Sequence, residues 1–240
     1  MKADPTHLAR LLEVQELDTA IEQVKHKAKT LPVHQAIADL MAARTGAGDN
    51  LTAARTALSD AEVTAKKAEA DVVPVRERLA RNQARVDDGS MDAKALSSAI
   101  EEIGHLKQRV SDLEDAELEA MEAMEVAQAR VGEADAALET IERSLRELVE
   151  ARDAEVAELA GQARGLAGVR GDKAAGLPET LLGLYDKIKP RANGVAVARF
   201  DGRRCDGCGL EATVADRDRY LAAPDDEVLR CAECDRILVR

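Results

Sequence analysis

The chain has 240 residues and a formal net charge of -12, and Tyr185, Phe200 and Tyr220 are its only aromatic residues. That scarcity excludes a large globular core, which draws much of its buried area from big aromatic side chains. Apolar content is carried instead by Ala, Leu and Val among many charged residues, the profile of long helices and coiled coils. In chain order, Asp4 and Pro5 open a first helix, whose apolar residues Leu8, Leu11, Leu12, Leu17, Ile21, Val24 and Leu31 follow helical spacing until Pro32. This helix is expected to pack beside the base of a hairpin, against residues 145–160.

The hairpin is read from two heptad series. Leu51, Leu58, Ala65, Val72, Leu79 and Val86 recur every seven residues, with Ala47, Ala54, Ala61, Ala68 and Val75 as the companion seam. A second series runs Leu96, Ile103, Val110, Glu117, Met124, Val131, Leu138 and Leu145, accompanied by Ala99, Leu106, Leu113, Ala120, Ala127, Ala134, Ile141 and Leu148. Only Glu117 breaks the apolar rule. Between the series, VDDGSMDAK supplies turn residues near 87–92 and Asp92 as N-cap of the return. So short a link makes the helices antiparallel. Pro74 is expected to kink the ascending helix. The alternative is a heptad seam that pairs with another chain.

After Leu159 the sequence GQARGLAGVRGDKAAGLP is too rich in glycine for a stable helix interior. The expected organisation is therefore an N-terminal helix and hairpin over 1–165, a Gly-rich linker over 166–176 and a compact module over 177–240. Within that module a short helix follows Pro178, with Leu181, Leu182, Leu184, Tyr185 and Ile188 as its apolar face. GVAVARF then alternates like a strand, and DRILVR is a second strand candidate. The fold class is mainly α: a long antiparallel coiled-coil hairpin plus a small C-terminal zinc-ribbon module of α+β type.

The zinc reading rests on two Cys-x-x-Cys knuckles, Cys205/Cys208 and Cys231/Cys234, about 22 residues apart. Two such turns deliver the four thiolates that tetrahedral zinc prefers, and four protein ligands leave no position for substrate. The expected cofactor is one structural Zn2+. Iron with four thiolate ligands is the metal alternative, and redox dithiols or buried free thiols are the others. The histidines, His7, His26, His34 and His105, lie on predicted helices far from the cysteines. No phosphate loop, nucleophile elbow or carboxylate pair is evident, so the chain is expected not to be an enzyme and to take no small-molecule substrate.

Charge counting gives about -13 for residues 1–163, about +5 for 164–204 and about -4 for 205–240. The basic stretch nominates Lys187, Lys189, Arg191, Arg199, Arg203 and Arg204 as contacts to RNA or DNA phosphates, with Tyr185 or Phe200 either stacking on a base or filling the core. A protein partner is expected on the hairpin, and a pure protein scaffold is the alternative function. No apolar run approaches the roughly 18 to 20 residues that cross a bilayer. The N-terminus gains acids too early for a signal peptide, so a cytoplasmic protein with no membrane partner is expected.

The combination of LPETLLGLYDKIKPRANGVAVARFDGRRCDGCGL and LRCAECDRILVR with a long hairpin before them resembles the bacterial coiled-coil hairpin proteins that carry a C-terminal zinc ribbon of the four-cysteine type. Its Ala/Arg/Asp/Val-rich, Lys-poor usage is similar to that of an actinobacterial, mycobacterial-like member. The resemblance implies that Cys205, Cys208, Cys231 and Cys234 hold zinc. It also implies a scaffolding or nucleic-acid-associated role, since some relatives resemble regulators that bind an alternative sigma factor, RNA, or secretion and flagellar components. At the tip, relatives often carry an Asn-Pro-Lys-Glu-Tyr/Leu type sequence. This chain has Asp92, Ala93, Lys94, Ala95 and Leu96, so no role of the tip carries over.

Overall fold

Asp4 accepts the Thr6 backbone N–H at 2.8 Å and Pro5 presets the first helical φ, so α1 runs Pro5–Lys29. Beyond Pro32, α2 spans Val33–Asp87 and passes through Pro74, and α3 spans Ala93–Ala175. A short α4, Glu179–Ile188, leads into a 3-10 turn at Lys189–Ala192. The remaining elements are β1 (Val197–Arg199), α5 (Val214–Ala222), β2 (Leu229–Arg230) and β3 (Ile237–Val239). This computed structural model describes residues 1–240, which divide into two units: Met1–His34 with Glu150–Arg240, and Gln35–Val149. No helix is long and apolar enough to cross a membrane.

The Gln35–Val149 unit is the antiparallel hairpin. Its buried residues are Ile37, Leu51, Ala65, Val72, Ile103 and Ala127; the last five fall on the two heptad series, and Ile37 continues the first series upstream of Leu51. Val72 is 1% exposed only two residues before Pro74, so seam packing carries α2 across a position that lacks a backbone donor. Gly89 takes a left-handed φ of 66°, and Asp92 Oδ1 accepts the Ala95 N–H at 2.7 Å, which closes the turn where the sequence places it. Ion pairs fix the register. Arg55–Asp135 (3.6 Å) and Arg76–Glu114 (2.6 Å) join e positions, and Arg78 meets Glu102 between g positions, as antiparallel pairing requires. At about 1.5 Å per residue, helices of about 50 residues give an arm on the order of 75 Å.

The other unit is built on a three-stranded sheet of order β1-β3-β2. β1 runs parallel to β3 with Val197 opposite Ile237, and β2 runs antiparallel to β3 with Arg230 opposite Ile237. Alternation sends successive side chains to opposite faces. Val197 and Ile237 join Leu8, Leu11, Val14, Leu181 and Tyr185 in one cluster, while Ala198 and Leu238 join Phe200, Tyr220 and the cysteines in the other. The first helix therefore completes the core of the C-terminal module, and its ion pairs to α3 fall at Arg170 and Lys173, beyond the 145–160 stretch. Its stripe of Leu8, Leu11 and Val14 supplies the apolar area that so small a sheet lacks.

The expected linker is also corrected: residues 166–175 are the last turns of α3. Each glycine there costs about 1 kcal/mol of helix propensity relative to alanine. Tertiary contacts offset that cost, since Ala174 and Leu177 enter the core, Lys173 pairs with Glu13 at 2.6 Å, and Arg170 pairs with Asp18 at 3.3 Å. The boundary drawn near 165 thus falls inside one structural unit. β2 and α5 were not foreseen, α5 being capped by Thr213, whose hydroxyl accepts the Asp216 N–H at 3.1 Å.

Candidate metal centre

Each cysteine pair sits on a tight turn of the same construction. In the first, the Gly209 N–H donates to the Cys205 carbonyl at 2.8 Å and the Cys205 N–H to Leu210 O at 3.1 Å. In the second, Asp235 donates to the Cys231 carbonyl and the Cys231 N–H to Arg236 O, both at 2.9 Å. The residue after the second cysteine is left-handed in both turns, with φ of 74° at Gly209 and 61° at Asp235. Glycine reaches that conformation freely, and Asp is among the few other residues that tolerate it. Gly207 answers a different need: a Cβ there would lie 2.5 Å from Arg236 Cδ and 2.8 Å from Ala198 Cβ.

The two turns bring all four sulfur atoms within 4.8 Å of one another. Cys205 Sγ is 3.9 Å from Cys234 Sγ, and Cys208 Sγ is 4.0 Å from Cys231 Sγ. A disulfide needs about 2.05 Å, so these are not cross-linked pairs. A tetrahedron with metal–sulfur bonds of about 2.3 Å has edges of about 3.8 Å, which the observed separations fit. Cys205 and Cys231 are buried and the other two cysteines half-buried, so the site is closed and largely sheltered from water.

The electrostatics of the cluster favour a cation. Burial pushes the Cys205 thiol up to about 12, reinforced by the neighbouring Cys234 and Cys231 sulfurs. Cys231 is likewise raised by burial. Burial also acts upward on Cys234, but the neighbouring Arg236 backbone and side chain, with the Cys231 and Cys208 thiols after them, outweigh it and bring that thiol to about 7. Four sulfurs so close cannot all ionise without positive charge among them, which a divalent cation supplies. Arg236 also donates from Nε to Val195 O at 2.7 Å and from Nη2 to Ala192 O at 2.9 Å. It fixes the second knuckle to the turn that precedes β1.

The six basic residues nominated for phosphate contact do not form one free set. Lys189 pairs with Asp18 at 2.8 Å, Arg199 with Glu16 at 3.0 Å and Arg203 with Glu211 at 3.0 Å. Lys187, Arg191 and Arg204 are exposed. Neither aromatic is offered to a base. Tyr185 is buried and donates to Asp18 at 2.6 Å, and Phe200 lies edge-on to Tyr220 with ring centres 5.3 Å apart. The core-filling alternative for both rings is the one observed.

Sequence reasoning missed three polar residues that hold this unit together. Gln15 is buried, its Oε1 accepting the Ala196 N–H at 2.6 Å while Nε2 donates to Gly194 O at 2.9 Å, so its amide extends the backbone pairing of β1. Asp18 collects Tyr185, Lys189 and Arg170. Arg236 is the third. Only α1 carried a signal: Gln15 and Asp18 stand four and seven residues beyond Leu11, on its apolar stripe, where a polar residue calls for a buried partner.

Comparison with known proteins shows what the chain is similar to. The sequence profile of the CT398-like coiled coil hairpin domain matches residues 14–193. An uncharacterized protein of Mycobacterium tuberculosis is 32% identical over 240 residues, covering 100% of this chain and 98% of its own length. A structure from Mycobacterium smegmatis superposes with a TM-score of 0.85 at 31% identity, covering 100% of both chains. CT398 from Chlamydia trachomatis shares the fold, with a TM-score of 0.65 at 16% identity and 97% of both chains covered.

Proposed function

Given that the chain belongs to the CT398-like coiled-coil hairpin family, we propose that it is a non-enzymatic adaptor whose hairpin docks a protein and whose other unit is held by one structural zinc ion. The closed four-sulfur cluster carries this reading. Four thiolates fill a tetrahedral shell and leave no position for water or substrate, so the ion stabilises the module rather than acting on a ligand. Zinc is preferred to iron because a permanent clasp gains nothing from a redox-active ion.

Protein is the favoured partner class. Half of the nominated phosphate contacts are engaged by acids of their own unit, and both candidate stacking rings are in the core. The exposed Lys187, Arg191 and Arg204 favour a second reading, in which the approach to the first knuckle binds RNA or DNA. Purification from the native cell with and without nuclease separates the two. Partners that persist after nuclease support the protein adaptor. Partners lost with the nucleic acid, together with binding that weakens steeply with salt and on reversing Arg191 and Arg204, support the second reading instead.

A further inference from the structure

An open groove of about 430 Å³ runs along the middle of the hairpin, floored by Ala65 and walled by Met121 and Met124. Its rim carries Glu62, Glu69 and Glu117 against a single cation, Lys66. Glu117 is the one charged residue in the second heptad series and is half-buried. The ion pairs of this unit are Arg44–Glu142, Arg55–Asp135, Arg76–Glu114, Arg78–Glu102 and Arg81–Glu77, so none of the three rim carboxylates is held in an ion pair.

Heptad position extends this face. Taking Leu51 and Leu96 as a positions, Met121 and Ile100 occupy e, and Leu118 and Val73 occupy b, all on the same side of the two-helix seam and all exposed. Apolar side chains thus recur along a face whose deepest point is ringed by unpaired acids. We infer that this groove docks an amphipathic helix with a basic polar face, its apolar residues seated over Ala65, Met121 and Met124 and its Lys or Arg residues meeting Glu62, Glu69 and Glu117. Charge selects this occupant. A second copy of the chain would bring the same acids onto these ones, and an acidic helix would meet like charge.

The inference deepens the protein-adaptor reading and rests on it. Its test uses the full chain and a synthetic Leu/Lys helical peptide with Leu at i, i+3, i+4 and i+7, beside the Leu/Glu counterpart, with affinity read by fluorescence anisotropy. The expected results are binding of the basic peptide at least about tenfold tighter than the acidic one, and a loss of about fivefold in Glu62→Gln/Glu117→Gln and in Met121→Ala. The control Glu119→Gln/Glu133→Gln removes equal charge at exposed c positions of the opposite side and retains affinity. Equal losses in the groove and control variants would overturn the site, as would a dimer in sedimentation that Met121→Ala dissolves. Circular dichroism reports whether each variant keeps its helix. Native co-purification separates the two levels: nuclease-resistant partners kept undiminished by Met121→Ala defeat the groove alone, whereas none retained by the unaltered chain defeats the adaptor reading.

Discussion

The phenol of Tyr185 donates to Asp18 Oδ2 across 2.6 Å and ties α4 to α1 inside the unit that carries the cysteines. Lys189 at 2.8 Å and Arg170 at 3.3 Å reach the same carboxylate, so one acid on the first helix gathers three later segments. Removing it leaves two sheltered cations without their counter-charge. Asp18→Ala should lower unfolding free energy by about 3–5 kcal/mol, and Tyr185→Phe by about 1 kcal/mol, both read from urea midpoints.

The same clasp has a pH signature of definite sign. Burial acts to raise the Asp18 carboxyl, but hydrogen bonds from Lys189, Tyr185 and Arg170 outweigh it and hold the group below its ordinary 3.8. The unfolded chain then binds the extra proton first, so the stability contributed by Asp18 is present above about pH 4 and is lost as pH falls below it. Tyr185 is displaced upward, by burial first and then by its bond to Asp18, so its contribution holds below its ordinary 10.0 and is lost as pH rises beyond that. Asp18→Asn should flatten the acid limb of a stability profile between about pH 2 and 4. An unchanged limb would show that other carboxylates control it.

Gln15 provides a test of how α1 is fastened to the sheet. Gln15→Ala strips the buried Ala196 N–H of its acceptor and should cost about 1–3 kcal/mol. Gln15→Glu keeps the acceptor but sets a buried carboxylate against the Gly194 carbonyl, so at neutral pH a loss at least as large is expected, easing at low pH where the protonated acid can donate there. Hydrogen exchange at Ala196 should accelerate in the alanine variant.

Gly207→Ala probes the first knuckle without touching a ligand. Its added methyl would press on Arg236 Cδ at 2.5 Å and Ala198 Cβ at 2.8 Å, and overpacking of this kind costs about 1–3 kcal/mol. Because Arg236 also ties the second knuckle to Val195 and Ala192, metal release to a chelator should quicken as well. Gly165→Ala, where nothing lies within 4 Å of the added Cβ, is the control and should stabilise α3.

The hairpin was legible because coiled coils obey a strict period: the seam residues named from heptads are those that lose exposure, and Asp92 caps the return helix. The four cysteines were legible because ligand spacing is local. What failed was non-local. Glycines at 161, 165, 168 and 171 signal a linker to any local rule, and only the pairing of Arg170 and Lys173 with α1 explains why the helix continues. Likewise, no local rule places α1 on a sheet formed almost two hundred residues later, or shows that Lys189, Arg199 and Arg203 are already paired.

The central claim, one structural zinc ion on four thiolates, is tested most directly by native mass spectrometry of the chain purified without added metal. One zinc ion per chain is expected, retained at neutral pH and lost in Cys205→Ser together with the fold of the 150–240 region. A metal-free chain that keeps its thermal stability, or a mass lower by two hydrogen atoms per disulfide, would contradict it.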